Sequence, residues 1–144
     1  MTPEALARAC ADAMWTDDPA SRALGMALEA VGPGWARMSM EVQPHMVNGH
    51  GLCHGGYIFA LADSASAFAC NTYNERVVAQ HCAITYIRPA RQAMRLVATA
   101  VERSRTGRAG IYDVTVVEAD GTVIAEFRGN TRSLGTRFFE DIPP

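Results

Sequence analysis

The chain has no lysine: all 13 of its basic residues are arginine. Codon bias accounts for such a composition, yet it leaves only planar guanidinium groups, which grip phosphate better than ammonium groups do. An excess of either charge is missing too. Fifteen acids against 13 bases leave a net charge of −2, which offers neither a nucleic acid nor a membrane surface a general attraction. The four cysteines, Cys10, Cys53, Cys70 and Cys82, form no CxxC pair and no spacing of a disulfide framework. No stretch approaches the ~18 uninterrupted apolar residues of a membrane span. The opening MTPEALARACADAMW carries Glu4 and Asp12 and lacks the basic-then-apolar order of a secretory leader. Internal repeats and low-complexity tracts are absent. The expectation is a reduced, cytoplasmic protein with neither nucleic-acid nor membrane partners.

What is present is enough for one domain, expected over residues 1–144. A chain of this length buries roughly 68–70% of its unfolded surface without metals or disulfides. Within an N-terminal segment 1–18, residues 3–15 read as a helix, with Thr2 as N-cap and Pro3 in the first turn. TDDPAS then breaks it. LGMALEAV and WARMSMEV flank GPG, and the second run alternates: Ala36, Met38, Met40 and Val42 face one way, Arg37, Ser39 and Glu41 the other. That pattern predicts a half-buried hairpin. After the loop QPHMVNGHGLCH, a run of about 16 residues rich in Ala and Phe predicts a helix, apolar nearly all round and therefore buried. Period-two patterns over 76–88, 94–104, 110–118 and 122–132 predict four strands, with PARQA, RTGRA and ADG as turns. The segment 136–144 reads as a tail that frays or docks. The fold class is α+β, a curved antiparallel sheet wrapped around one long central helix.

The chemistry concentrates in NGHGLCHGGYIFALADSASAFAC, residues 48–70. A helix beginning at Gly55 or Gly56 presents N–H groups with no intrahelical partner and a partial positive charge, ready to receive an oxyanion. The glycines let a substrate approach the backbone, or they fit a tight turn. Asp63 supplies a base or a nucleophile, or else a structural carboxylate bonded to Ser66 or to a loop. Asp63 lies eight residues beyond Gly55, about 12 Å along a helix, whereas reacting groups meet at about 3 Å. One chain's pair cannot serve the same carbonyl, but two helices antiparallel across a two-fold axis can. Asn48 is placed to hydrogen-bond a carbonyl or a water, and His54 to orient the loop or donate to substrate. His45, His50, Cys53 and His54 match no zinc spacing, and adjacent Cys53 and His54 would strain a tetrahedral site, so no metal is expected. Ser64 and Ser66 lack a nucleophile elbow and read as packing residues.

Six arginines, Arg88, Arg91, Arg95, Arg103, Arg105 and Arg108, fall within 86–108, where Glu102 is the only acid. SRTGRAG (104–110) sets Thr106 and Arg108 around Gly107, either as a solvated hairpin or as a phosphate grip. Tyr57, Phe59 and Phe68 belong to the core or to a pocket.

The stretch VNGHGLCHGGYIFALADSASAFAC resembles, in one register, the central motif of the hot-dog fold thioesterases of the phenylacetate-degradation (PaaI) type. RALGM, IRPAR, TGRAGIYDV and FRG extend the likeness over most of the chain. The resemblance implies a hot-dog fold, a homodimer with a continuous sheet, usually paired into a homotetramer, and hydrolysis of an acyl-CoA thioester. It implies that Asp63 is the catalytic carboxylate and that the Gly55 N–H polarises the carbonyl, with His54 and Asn48 as polar site residues. Asp17 falls near an acyl-contacting position, and Gly56, Arg88 and the turn Thr106, Gly107, Arg108 would touch substrate. Coenzyme A enters as part of the acyl-CoA substrate, so no separate cofactor is implied. One departure stands out: where some relatives place a hydroxyl to hold the water, this chain has Ala79, with Gln80 beside it. The leaving thiol, with a pKa near 8.5, departs without a strong general acid, so one carboxylate and one oxyanion donor suffice. Two other readings are open to the residues: a non-catalytic acyl-CoA-binding module, and a hot-dog hydratase or dehydratase, which would need a differently spaced His–carboxylate pair. The expected substrate is an aryl-acetyl-CoA or a similar medium-sized acyl-CoA.

Overall fold

A computed structural model describes residues 1–142. Helix α1 spans Pro3–Thr16, with the Thr2 hydroxyl accepting from the Ala5 N–H. TDDPAS does break it, but the same residues start a second helix, α2, over Pro19–Ala23. Asp18 caps the Ser21 N–H at 3.0 Å and Pro19 opens the turn. An Asp-Pro pair is both a breaker and a starter, because a helix N-terminus wants a side-chain acceptor and tolerates a missing N–H.

Six strands follow the expected boundaries closely: β1 (Ala27–Gly32), β2 (Trp35–Glu41), β3 (Val77–Tyr86), β4 (Arg95–Thr106), β5 (Ala109–Glu118) and β6 (Val123–Ser133). They form one antiparallel sheet in the order β1-β2-β4-β5-β6-β3. The β1–β2 turn needs Gly34 twice over. Its φ is +74°, and a Cβ there would stand 2.7 Å from the Tyr73 hydroxyl. Ser39 departs from the alternation expected of β2, being buried rather than outward. A bulge in β1 at Glu29 brings that carboxylate over Ser39, whose hydroxyl donates to it.

Helix α3 (Gly55–Cys70) lies against the concave face of the sheet. Its Ile58, Leu61, Ala62, Ala65, Phe68 and Ala69 pack on Met38, Met40, Leu96, Ala98, Val114 and Val116 from β2, β4 and β5. Burial is one-sided rather than complete: Tyr57, Phe59, Ala60, Asp63, Ser64 and Ala67 are only half-buried, and Gly56 is exposed. These residues form a face along the helix. Beside α3 runs β3, the sheet's last strand, paired to β6 alone and mostly exposed. Among the described residues no helix is long and apolar enough to cross a membrane.

Two asparagines tie the ends together. Asn71, buried, donates to the Ala67 and Val77 carbonyls at 2.9 Å each and accepts from the Val77 N–H at 2.8 Å. It therefore stops α3 and starts β3 with one side chain. Asn74, in the left-handed region at φ 57°, accepts from the Phe138 and Phe139 N–H groups and donates to the Phe139 carbonyl. The tail docks on it; of the expected tail segment, residues 143 and 144 lie outside the described residues.

Replacing Asn71 with Ala strands the Val77 N–H and takes a donor from the Ala67 and Val77 carbonyls, so Asn71→Ala should lower unfolding stability by about 2–3 kcal/mol. Urea denaturation with an unchanged m-value reads this, and a loss below about 0.5 kcal/mol would show that the cap is not needed.

Candidate active site

The loop before α3 is built to present the helix's first residue. A 3₁₀ turn at Pro44–Met46 leads into an isolated bridge between Val47 and Cys53. The Asn48 side-chain oxygen accepts from the N–H groups of His50 (2.9 Å) and Leu52 (3.2 Å), closing the glycine-rich bend. The His54 N–H bonds to the Met46 carbonyl at 2.7 Å, and the Cys53 N–H to Ala90 at 2.8 Å. His54 is the N-cap of α3: its Nδ1 accepts from the Gly56 N–H at 2.9 Å, so the proton of the neutral ring sits on Nε2. The Tyr57 N–H bonds to the His54 carbonyl at 3.0 Å. The Gly56 and Tyr57 donors are thus engaged, while the Gly55 N–H has no partner among the described residues. Of the two glycines read together in the sequence, Gly55 is the one whose N–H is free for an oxyanion.

Gly55 opens into a cavity of about 400 Å³ lined by Asn48, Leu52, Ile58, Tyr86 and Arg88 among others. Tyr86 escaped the sequence reading. Its hydroxyl donates to the Gly55 carbonyl at 2.8 Å, and its ring would stand 2.8 Å from a Cβ on Gly55. The one available signal was its place in the period-two set Cys82, Ile84, Tyr86 on β3. Nothing in the sequence says that this face of the strand meets α3.

Asp63 is half-buried at the middle of α3, and burial pushes its pKa above the ordinary aspartate range. The Cys82 thiol, donating to Oδ1 at 3.8 Å, works against that rise without cancelling it. The bond to Ser66 considered for a structural aspartate is not made. Ser66 is buried, with its Oγ 2.9 Å from where a Gly129 Cβ would lie, and Ser64 Oγ is 3.0 Å from Ser21 Oγ on α2, so both serines pack.

Strand β3 measures the separation of the two groups. Cys82 touches Asp63 and Tyr86 touches Gly55. Four strand residues span about 13 Å, and the eight helical residues alongside span about 12 Å. A free N–H and a carboxylate therefore sit about 12 Å apart along α3, too far apart to act on one carbonyl.

The remaining candidates divide the same way. Asn48, His54, Gly55, Gly56 and Arg88 gather at the N-terminal end of α3; the Arg88 guanidinium reaches the Val123 carbonyl at 3.4 Å. Gln80 is the extra residue of a bulge in β3, between Ala79 opposite Thr131 and His81 opposite Asn130. Thr131 also pairs with Gly110, so the Thr106–Ala109 turn lies toward this other end of the sheet. Gly107, at φ +60°, is the first central residue of that two-residue turn, as a type II′ hairpin requires. Of the six clustered arginines, Arg95, Arg103 and Arg105 are paired with Glu29, Asp113 and Glu75. Arg88, Arg91 and Arg108 form no ion pair among the described residues. Asp17, at the end of α1, lines a separate cavity of about 310 Å³ with Met14, Arg76 and Phe138. Among the described residues no three His, Cys, Asp or Glu side chains are grouped to hold a metal ion.

Comparison with known proteins shows the family and the fold. Residues 50–125 match the thioesterase superfamily. The chain is 38% identical over 125 residues to the acyl-coenzyme A thioesterase PaaI of Escherichia coli K12, covering 87% of this chain and 89% of that one. The solved structure of the E. coli PaaI protein from the phenylacetic acid degradation operon superposes with a TM-score of 0.93 at 36% identity, over 94% of this chain and 99% of that chain. A mutant of the phenylacetic acid degradation protein PaaI from Thermus thermophilus gives 0.78 at 39% identity, over 81% and 100%.

The electrostatics of Asp63 have a measurable sign. Its folded pKa is raised, so the folded state binds more protons than the unfolded one from about pH 3.9 up through that raised value, and stability falls as pH climbs across this window. Asp63→Asn, which cannot ionise, should therefore melt higher than the parent at pH 7, with the difference vanishing below about pH 4. A variant less stable than the parent at pH 7 would mean that the charge is compensated by partners.

Proposed function

The chain belongs to the thioesterase superfamily, and on that premise we propose that it hydrolyses an aryl-acetyl-CoA, or another medium-sized acyl-CoA, at a site assembled from two copies of the chain. It is a hot-dog fold acyl-CoA thioester hydrolase of the PaaI type. The observation that carries the finer reading is the free Gly55 N–H and the half-buried Asp63 on one helix, about 12 Å apart, beside a strand with an open edge.

An edge strand of 10 residues leaves a row of backbone groups unpaired, which proteins generally cover. A second copy does so if the two β3 strands pair antiparallel across a two-fold axis. The sheets then join, the half-buried faces of the two α3 helices meet, and the N-terminus of one helix comes opposite Asp63 of the other. The family resemblance extends this to pairs of dimers.

In that arrangement the thioester oxygen accepts from the Gly55 N–H, whose position at the helix start adds the partial positive charge of the helix end. His54 holds the turn. Asn48, whose carboxamide oxygen is committed to the loop, keeps its N–H hydrogens for the ligand. Asp63 of the other copy either takes a proton from water, which attacks the carbonyl carbon, or attacks that carbon itself to form an anhydride that water then cleaves. Both routes break the carbon–sulfur bond, and the thiolate leaves without an acid. With Ala79 where some members of the family carry a hydroxyl, the water is held by Gln80, set out by its bulge, by a loop group, or by Asp63 alone. Asp17 is assigned to the acyl side. Arg88, and the Thr106-Gly107-Arg108 turn, with two guanidinium groups free of acids, suit the phosphates of coenzyme A.

Thiol release from phenylacetyl-CoA tests the reading. The parent should turn over and folded Asp63→Asn should lose two or more decades in kcat; no turnover across aryl and alkyl CoA esters, with binding retained, would leave a binding module. Mixing inactive Asp63→Asn with inactive Gly55→Ala tests the shared site. Mixed dimers then hold one intact site, so activity should return toward half of the parent value per dimer. No recovery in verified mixed dimers would place both groups' action within one chain.

A further inference from the structure

The carbonyl of the first residue of α3 is tethered from outside the helix by an aromatic residue of β3. Tyr86 ends β3, paired with Ala125, and the Ile87 N–H bonded to the Ile124 carbonyl at 2.8 Å fixes the chain just beyond it. Its hydroxyl donates to the Gly55 carbonyl at 2.8 Å. A carbonyl oxygen has two lone pairs, so this bond adds to the intrahelical one rather than replacing it. The Gly55–Gly56 pair has no side chain of its own to restrain the peptide plane, which gives an external tether more to do here than at any other turn of the helix. The ring closes the space over the Gly55 Cα, 2.8 Å from where a Cβ would be. It also forms a wall of the 400 Å³ cavity beside Ile58 and Ile87, and 48% of the residue stays accessible. One side of the tyrosine faces the backbone, and the other is available to a ligand.

We propose that Tyr86 is the positioning residue for the Gly55 donor and sets the width of the cavity in front of it. The hydroxyl holds the Gly55–Gly56 peptide, the neighbour across the Gly55 Cα of the peptide that carries the Gly55 N–H, and so restrains the Gly55 backbone through which that N–H is presented. The ring limits the bulk of the apolar group that lies next to the polarised carbonyl. This inference rests on the reading of Gly55 as the carbonyl-polarising donor.

The two parts separate by substitution. Tyr86→Phe keeps the ring and removes the tether. It should lower kcat for phenylacetyl-CoA about three- to tenfold, the scale of one hydrogen bond, with KM unchanged. Amide hydrogen exchange across residues 55–58 should quicken by a similar factor. Tyr86→Leu should raise the kcat/KM ratio of naphthylacetyl-CoA over phenylacetyl-CoA about tenfold. A Tyr86→Phe protein with parental kcat and parental exchange would overturn the positioning role, as would a raised KM at constant kcat, which marks direct substrate contact. An unmoved substrate ratio in Tyr86→Leu would overturn the role in cavity width. If the parent shows no thioester turnover, the reading of Gly55 fails, and the exchange measurement alone still decides whether Tyr86 holds the turn.

Discussion

A helix is a rigid spacer, and in this protein the spacer separates the two groups of the proposed site. Gly55 opens α3 with a free N–H, and Asp63 sits two turns further on. No side-chain rotation brings them within about 3 Å of one atom. The unpaired edge of β3 is the complement the proposed two-copy site calls for: a fold that closed this edge within one chain would leave each half of the proposed pair without its counterpart. The half-buried face of α3, odd for a helix so rich in alanine and phenylalanine, is accounted for in the same way by the proposed two-copy site. It is the surface along which a second copy would bring the missing half.

Burial gives Asp63 a double character. The apolar surroundings that make the carboxylate a stronger base also disfavour its charge, so the folded state carries an electrostatic cost at neutral pH. Cys82 offers only a weak thiol donor at 3.8 Å, too little to neutralise the effect. A strong partner such as arginine would have removed the cost and the basicity together. Arginines of this chain are instead placed elsewhere, paired with Glu29, Asp113 and Glu75 on the sheet and around the turn, or, at Arg88 and Arg108, without an ion pair among the described residues.

The other end of the pair is arranged by backbone rather than by charge. His54 takes up the Gly56 N–H, the Asn48 oxygen closes the preceding bend, and Tyr86 fixes the Gly55 carbonyl. Each contact consumes a hydrogen-bonding group next to the Gly55 N–H while leaving that donor open. The glycine is needed sterically as well, since the tyrosine ring occupies the place of a side chain. A preorganised donor of this kind does its work without reorganising when charge develops on an oxygen.

Much of this was legible from residue order alone. Period-two alternation located five of the six strands, because a sheet buried on one face dictates which positions are apolar, and the GPG turn located the first. Small residues and a Gly-Gly start located α3, and Asp63 stood out as the one carboxylate in an apolar run. The eight-residue spacing from Gly55 already set the condition that, if these two groups form one site, a second chain must complete it. Three things lay beyond reach. Ser39 turned inward because a bulge at Glu29 supplied its acceptor, and bulges leave little trace in composition. The Asp-Pro that breaks α1 also began α2, since the same local chemistry serves both. Tyr86 gained its place only when β3 was laid beside α3. Local periodicity and spacing determine which residues share a face and how far apart they lie along one element. Which face meets which, and so which N–H is capped and which left free, is decided by contacts between residues far apart in the chain, and only the packed tertiary structure contains them.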